Sequence, residues 1–272
     1  MKNEVIHWFD ADYTLWNTNA KLWILNKKNP SKYLLRVSQH EANNIISGLY
    51  KNDGHEINYN GITGWISQEL WIKIQRTKQL SEEEIGLSIR EYQDDDLIET
   101  QTENLLIYIN NILHLAGTKD VINILTARGR RNSHTKLLTK LKDHLATHDI
   151  NIHDAIFVND PSNVPNVGTT SEKKMLIILQ NIVGYKISNQ QFEPILMDKY
   201  DVSNFYDDEE QNIEECKNIN MWLHKYLTNT IPWLKQKIEE RVSINKPTLY
   251  LNQITSNELN PFITNKIDIK II

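Results

Sequence analysis

Four short runs of β-branched, aromatic and aliphatic residues constrain this 272-residue chain most, because each stops abruptly at polar residues. Val5 to Phe9 ends at Asp10, Val121 to Leu125 at Thr126, Ala155 to Val158 at Asn159, and Val202 to Tyr206 at Asp207-Asp208. Continuous apolar runs of this length suit strands buried on both faces. Helical patterns separate the last three runs, over about 133–147 and 172–183, and another follows the fourth over about 209–228; the first has Leu137, Leu138, Leu141 and Leu145 on one face. Strands alternating with helices predict an α/β fold, a three-layer Rossmann-like parallel sheet covered on both faces. Ligands in such folds bind beyond the carboxyl ends of the strands, where all four polar stops fall.

The stretch 17–118 breaks the rhythm with Gly/Asn punctuation at Lys51 to Gly54 and Asn58 to Gly61, and with amphipathic segments near 66–79 and 102–115. It reads as a large insertion after the first strand, leaving 1–16 and 119–228 as the core. Beyond 229 come an amphipathic segment from Trp233 to Val242 and a candidate fifth strand from Pro247 to Leu251; the last dozen residues stay open between strand and tail.

A net charge of −5 argues against a general nucleic-acid coat, which needs a broad excess of Lys and Arg, though a local basic groove stays compatible. One cysteine, Cys216, allows no internal disulfide. No stretch approaches the roughly 18 apolar residues of a membrane span, and the first residues lack a signal-peptide pattern. The expected location is the cytoplasm, away from membranes.

Chemistry concentrates at Asp10-Ala-Asp12-Tyr-Thr14. Two carboxylates one residue apart, where a strand opens into a loop, can share a small site. One can attack phosphorus; the other can protonate the leaving oxygen and later take a proton from water. An anionic nucleophile facing an anionic phosphate needs cations, for which Mg²⁺ on oxygen ligands and a fixed lysine are suited. Thr126, with the Ala127 N–H, can hold phosphate oxygens. Lys174, or alternatively Lys173, opens the helix after Thr169-Thr170-Ser171. Asp207-Asp208 can complete a metal shell, and Asn212, one turn onward, can orient that loop.

The ordered set Asp10/Asp12/Thr14, Thr126, Lys174 and Asp207/Asp208/Asn212 resembles the haloacid dehalogenase superfamily of phosphohydrolases. Leu125 to Arg128, Tyr206 to Glu209 and the Thr169-Thr-x-x-x-Lys174 segment look most like phage-encoded members and the Swiss-army-knife, RNA-repair-like group. The resemblance covers about residues 4–16 and 119–225. It implies a Mg²⁺-dependent phosphomonoesterase with Asp10 as nucleophile, Asp12 as general acid/base, Lys174 as charge stabiliser and Thr126, Ala127 and Arg128 on the substrate. The metal would rest on Asp10, Asp207, Asp208 and the backbone carbonyl of Asp12. The insertion takes the position of a cap that selects substrate. A nucleotide or the terminal phosphate of a nucleic acid is the expected partner, from the resemblance and from Arg128-Gly-Arg130-Arg131.

Blander readings stand beside these. The arginine loop can be a solvated basic turn and Asp94 to Asp96 an exposed acidic one. Tyr59, Trp65 and Trp71 suit a core better than base stacking, and His7, His40, His134 and His144 show no zinc spacing. A phosphotransferase, or a non-catalytic binding module on the same fold, are the competing functions; protein partners are not legible.

Overall fold

The computed structural model describes residues 5–11, 14–15, 20–93, 120–127, 139, 142–143, 145–147, 149–160, 163, 168–255 and 262–272. The chain divides into two compact units, Met1–Thr18 with Gln101–Ile272, and Asn19–Thr100.

The first strand, β1 (Val5–Phe9), belongs to the larger unit. The smaller unit follows in the chain: β2 (Leu22–Asn26), β3 (Asn29–Val37), α1 (Gln39–Ser47), β4 (His55–Tyr59), β5 (Ile62–Ile66), α2 (Gln68–Thr77) and β6 (Ile85–Ser88). Its strands form a three-stranded antiparallel sheet in the order β3-β2-β6 and a separate β4-β5 hairpin. Asn60 and Gly61, both at positive φ, make the tight turn of that hairpin. Ser38 and Ser67 cap the two helices with their hydroxyls. Leu22, Ile24, Ile45, Ile57, Ile66, Ile74 and Leu87 close a core of its own, and a unit with its own core is a domain in physical terms.

In the larger unit β1 is joined by β7 (Val121–Thr126), β8 (Ile152–Phe157), α3 (Thr170–Val183), β9 (Tyr185–Ser188), β10 (Gln191–Leu196) and β11 (Val202–Asp207). Then come α4 (Glu210–Lys217), α5 (Ile219–Asn229), α6 (Pro232–Asn245), β12 (Thr248–Thr255) and β13 (Phe262–Lys270). Six strands form one sheet in the order β13-β12-β11-β1-β7-β8. All neighbours run parallel except β12 and β13, so the sheet is mixed and mostly parallel, where a wholly parallel one is predicted. The difference lies in the last residues: Ile267 and Ile269 pack against the core and Ile271 is buried in it, holding the chain end as an antiparallel edge strand. β9 and β10 form a separate hairpin.

Helix α3 is nearly wholly buried: Met175 to Leu179 with Ile182 and Val183 supply its apolar packing, and its polar first turns, with Ser171, Lys173 and Lys174, are buried as well. It starts at a capping box made by Thr169 and Glu172 and stops at Gly184 in the left-handed region. The predicted helix over 209–228 is two helices, interrupted at Asn218, whose φ/ψ of −83°/7° leaves the helical region. Asparagine favours such breaks because its amide competes for backbone hydrogen bonds. The helix predicted over 133–147 falls largely outside the described residues, as does the segment 102–115; Thr139, Lys142, Asp143, Leu145 and Ala146 are helical. Among the described residues no helix is long and apolar enough to cross a membrane.

Candidate active site

The chain order in the sheet fixes where a site can form. From β1 it moves outward through β7 to β8, then returns on the other side of β1 with β11 and β12, so the order reverses between β1 and β11. Phe9 is in register with Tyr206 on β11 and with Ile124 on β7. The next residues of the two inner strands, Asp10 and Asp207, therefore leave the sheet side by side, and the Asp10 N–H donates to the Tyr206 carbonyl at 2.9 Å.

Between these carboxylates sits the Lys174 ammonium, from the first turn and a half of α3. Its Nζ donates to Asp10 Oδ1 at 2.6 Å and to Asp207 Oδ2 at 2.8 Å, and the residue is 2% exposed. Burial alone would drive its pKa down; Asp10 and Asp207 more than offset that and hold it above the ordinary lysine value, so the ammonium keeps its proton. Asp207 is fixed further. The Asn212 amide donates to both its oxygens at 2.9 Å, the Glu209 N–H donates to Oδ1 at 2.9 Å, and the Ser171 hydroxyl donates to Asn212 Oδ1 at 2.7 Å. One carboxylate thus ties β11 to the first turns of both α3 and α4.

Asp208 completes the group. Carboxylate oxygens of Asp10, Asp207 and Asp208 lie within 4.8 Å of one another, and the Thr14 hydroxyl donates to Asp208 Oδ1 at 3.2 Å. Burial first, and then the facing Asp207 and Asp10, push the Asp208 carboxyl up to about 9. Three carboxylates around one ammonium are short of positive charge. An oxygen-only donor set with that deficit fits a hard divalent cation such as Mg²⁺, without being specific to it.

Thr126, the last residue of β7, is buried, and Ala127 follows it out of the sheet. The Ala127 carbonyl accepts from Asn159 Nδ2 at 2.7 Å, and Asn159 Oδ1 in turn accepts from Lys173 Nζ at 3.0 Å. The two lysines left open by the sequence thus take different tasks: Lys174 meets the carboxylates, while Lys173 braces the loop after Thr126. No family model, curated protein or solved structure matches this chain.

Asp12 and Arg128 lie outside the described residues, as do Arg130, Arg131, His134, His144 and Asp94 to Asp96. Tyr59, Trp65 and Trp71 are half-buried; the Trp71 ring stacks on His55 at 4.2 Å and the Lys51 ammonium stands 5.3 Å from the Trp65 ring. His7 is structural. Its Nδ1 faces the Tyr206 hydroxyl at 3.1 Å and its Nε2 faces Asp120 at 3.0 Å; burial lowers its pKa despite Asp120, and in the neutral ring the carboxylate places the proton on Nε2. Sequence reasoning missed Ser171 and Asn159 as supports. Their only signal was position, one within the Thr169-Thr170-Ser171 start of α3 and the other at the polar end of the third apolar run. A cleft of about 200 Å³, walled by Glu172, Trp222 and Tyr226, shares no residue with the carboxylate group.

Proposed function

We propose that this chain is a Mg²⁺-dependent phosphomonoesterase of the haloacid dehalogenase type, hydrolysing its substrate through an aspartyl-phosphate on Asp10. The observation that carries the reading is the Asp10–Lys174–Asp207 arrangement at the reversal point of the sheet. A carboxylate there is backed by a permanent ammonium, so a second anion can approach it with less repulsion.

Asp10 attacks phosphorus in line, forming the Asp10 O–P bond as the ester P–O bond breaks. Asp12, the second carboxylate of the motif, gives its proton to the departing oxygen. It then takes one from water, whose oxygen attacks phosphorus and releases inorganic phosphate with Asp10 restored. Thr126 and the Ala127 N–H bind phosphate oxygens, and Lys174 balances the charge of nucleophile and phosphate. Asp10, Asp207 and Asp208, with the Asp12 carbonyl, would hold a Mg²⁺ ion, which would supply neutralisation of the charge on the phosphoryl oxygens. The substrate class proposed is a nucleotide or a nucleic-acid terminal phosphate, the group at Arg128 receiving it.

The test is phosphate release from a chromogenic monoester and from a panel of nucleotides, sugar phosphates and phosphorylated oligonucleotides, with and without Mg²⁺. Turnover should need the metal, and Asp10→Asn and Asp12→Ala should each lower it at least about 100-fold with the fold intact. Near-normal rates in either variant remove the mechanism. Absence of Mg²⁺-dependent turnover across the panel favours a non-catalytic binding module, and phosphoryl transfer to an acceptor other than water marks a phosphotransferase.

A further inference from the structure

The smaller unit carries a feature that the reaction does not use. From Ala20 to His40 the sequence holds five cations, Lys21, Lys27, Lys28, Lys32 and Arg36, and no carboxylate, within a chain of net charge −5. This stretch is the β2-β3 hairpin. Irregular register in the hairpin sets Tyr33 opposite Leu25 and Arg36 opposite Trp23, so residues of odd spacing share one face. On that face Trp23 and Tyr33 meet edge-on with ring centroids 5.1 Å apart. The Arg36 guanidinium lies 5.8 Å from the Tyr33 ring, and the Arg90 guanidinium lies 4.5 Å over Trp23.

These planes are locked from beneath. Glu91, 4% exposed, accepts from the Trp23 indole N–H, from the Lys21 backbone N–H at 2.9 Å, and from Arg36 through Nε at 2.7 Å and Nη2 at 2.8 Å. Tyr33 nevertheless keeps 51% of its surface open to solvent. Two rings in edge-to-face contact with a guanidinium group at each end, ordered in advance, lose little entropy when a flat partner settles on them.

We propose that this hairpin face binds single-stranded nucleic acid, with unstacked bases lying on Tyr33 and its neighbouring guanidinium plane and the phosphates drawn to Lys21 before β2, Lys27 in the turn and Lys32 on β3. Lys28 and Arg36 are paired with Glu84 and Glu91, so Lys21, Lys27 and Lys32 supply the charge that draws a polyanion. The open ring selects one with exposed base faces, which a duplex keeps stacked inside itself. The inference does not rest on the phosphatase reading, because it concerns binding by the smaller unit alone.

The experiment is fluorescence anisotropy of end-labelled oligo(dU) and oligo(rU), each of about 20 nucleotides to exceed the usual footprint, titrated with the full chain in EDTA so that no turnover enters the readout. Binding should weaken as salt rises. It should fall about tenfold in Tyr33→Ala, the scale of one lost stacking contact, and survive in Tyr33→Phe, which keeps the ring. Arg90→Ala should weaken it independently of any change at Tyr33. A tighter complex with one oligonucleotide assigns the sugar, and equal affinity assigns a platform indifferent to it. The proposal is overturned if neither oligonucleotide binds in a salt-sensitive way, or if folded Tyr33→Ala and Arg90→Ala both bind like wild type. It is equally overturned if a duplex of the same length or an acidic polypeptide competes as well as the single strand.

Discussion

At the scale of single residues, the site is organised by one buried cation. Lys174 stands between Asp10 and Asp207, so Lys174→Met leaves two carboxylates without their counter-charge in a water-poor setting. The expected cost is about 3–5 kcal/mol of unfolding free energy, the range for breaking a buried ion pair from one side. Lys173→Met removes only the contact to Asn159 and should cost clearly less; urea denaturation of the two variants makes the comparison. Equal losses would mean that the ammonium at 174 is not what holds the carboxylates. The sequence showed that a lysine was due here but not which one. Neighbouring residues on a helix point about 100° apart, and only packing fixes the phase that sends one side chain to Asp10 and Asp207 and the other to Asn159, past the end of β8. His7 gives the pH dependence. Burial holds its pKa below the usual 6.5 despite Asp120, so below pH 6.5 the unfolded chain binds a proton that the folded one refuses. Stability should therefore fall as pH drops from 6.5 through the folded pKa, and His7→Gln should flatten that slope in urea midpoints measured between about pH 5 and 8. An unchanged slope would show that the ring is not held neutral.

At the scale of elements, what could be read in advance follows how local each signal is. The apolar runs at 5–9, 121–125 and 202–206 became strands within one residue of their predicted ends, because burial on both faces writes itself into consecutive residues. The third run illustrates the limit: β8 begins at Ile152, three residues early, since His153 and Asp154 interrupt the apolar pattern while Asn123 Oδ1 accepts the Asp154 N–H at 3.1 Å. The C-terminal edge was harder still. Asn265, Lys266, Asp268 and Lys270 dilute the pattern of β13, an edge strand that shows one side to water. Its tie to the core comes from long-range pairing with β12, and polar residues on an edge also discourage pairing with other chains. A direct check contrasts the last two isoleucines. Ile271, 2% exposed, should cost about 2–5 kcal/mol on truncation to alanine, whereas Ile272, 85% exposed, should shift stability by less than about 0.5 kcal/mol, both read from urea unfolding. Matching small effects would mean that the chain end is a tail lying on the sheet and not part of its packing.

At the scale of the whole molecule, folding is what creates the candidate metal site. Thr14 and Asp208 are 194 positions apart in sequence yet hydrogen-bonded, and the sheet and Lys174 join Asp10 to Asp207. Residue types at strand ends told which carboxylates to suspect. The neighbour relation of β1 and β11, which brings them together, depends on a crossover whose side no local pattern encodes. An unfolded chain keeps Asp10 apart from the adjacent Asp207 and Asp208, so a divalent cation that needs all three binds the folded state in preference and must stabilise it by mass action. At free Mg²⁺ about 100 times its dissociation constant, the gain should be about 2.7 kcal/mol, seen as a rise in Tm that follows Mg²⁺ concentration and reverses with EDTA. Asp208→Asn, which removes a carboxylate without touching Lys174, should abolish that rise while leaving the metal-free protein folded. The same response in wild type and Asp208→Asn would place the cation elsewhere on the chain. Absence of any response to Mg²⁺ or Mn²⁺ would leave Lys174 as the one counter-charge of the group among the described residues, and an aspartate in that setting would face a phosphate dianion with too little positive charge to attack it.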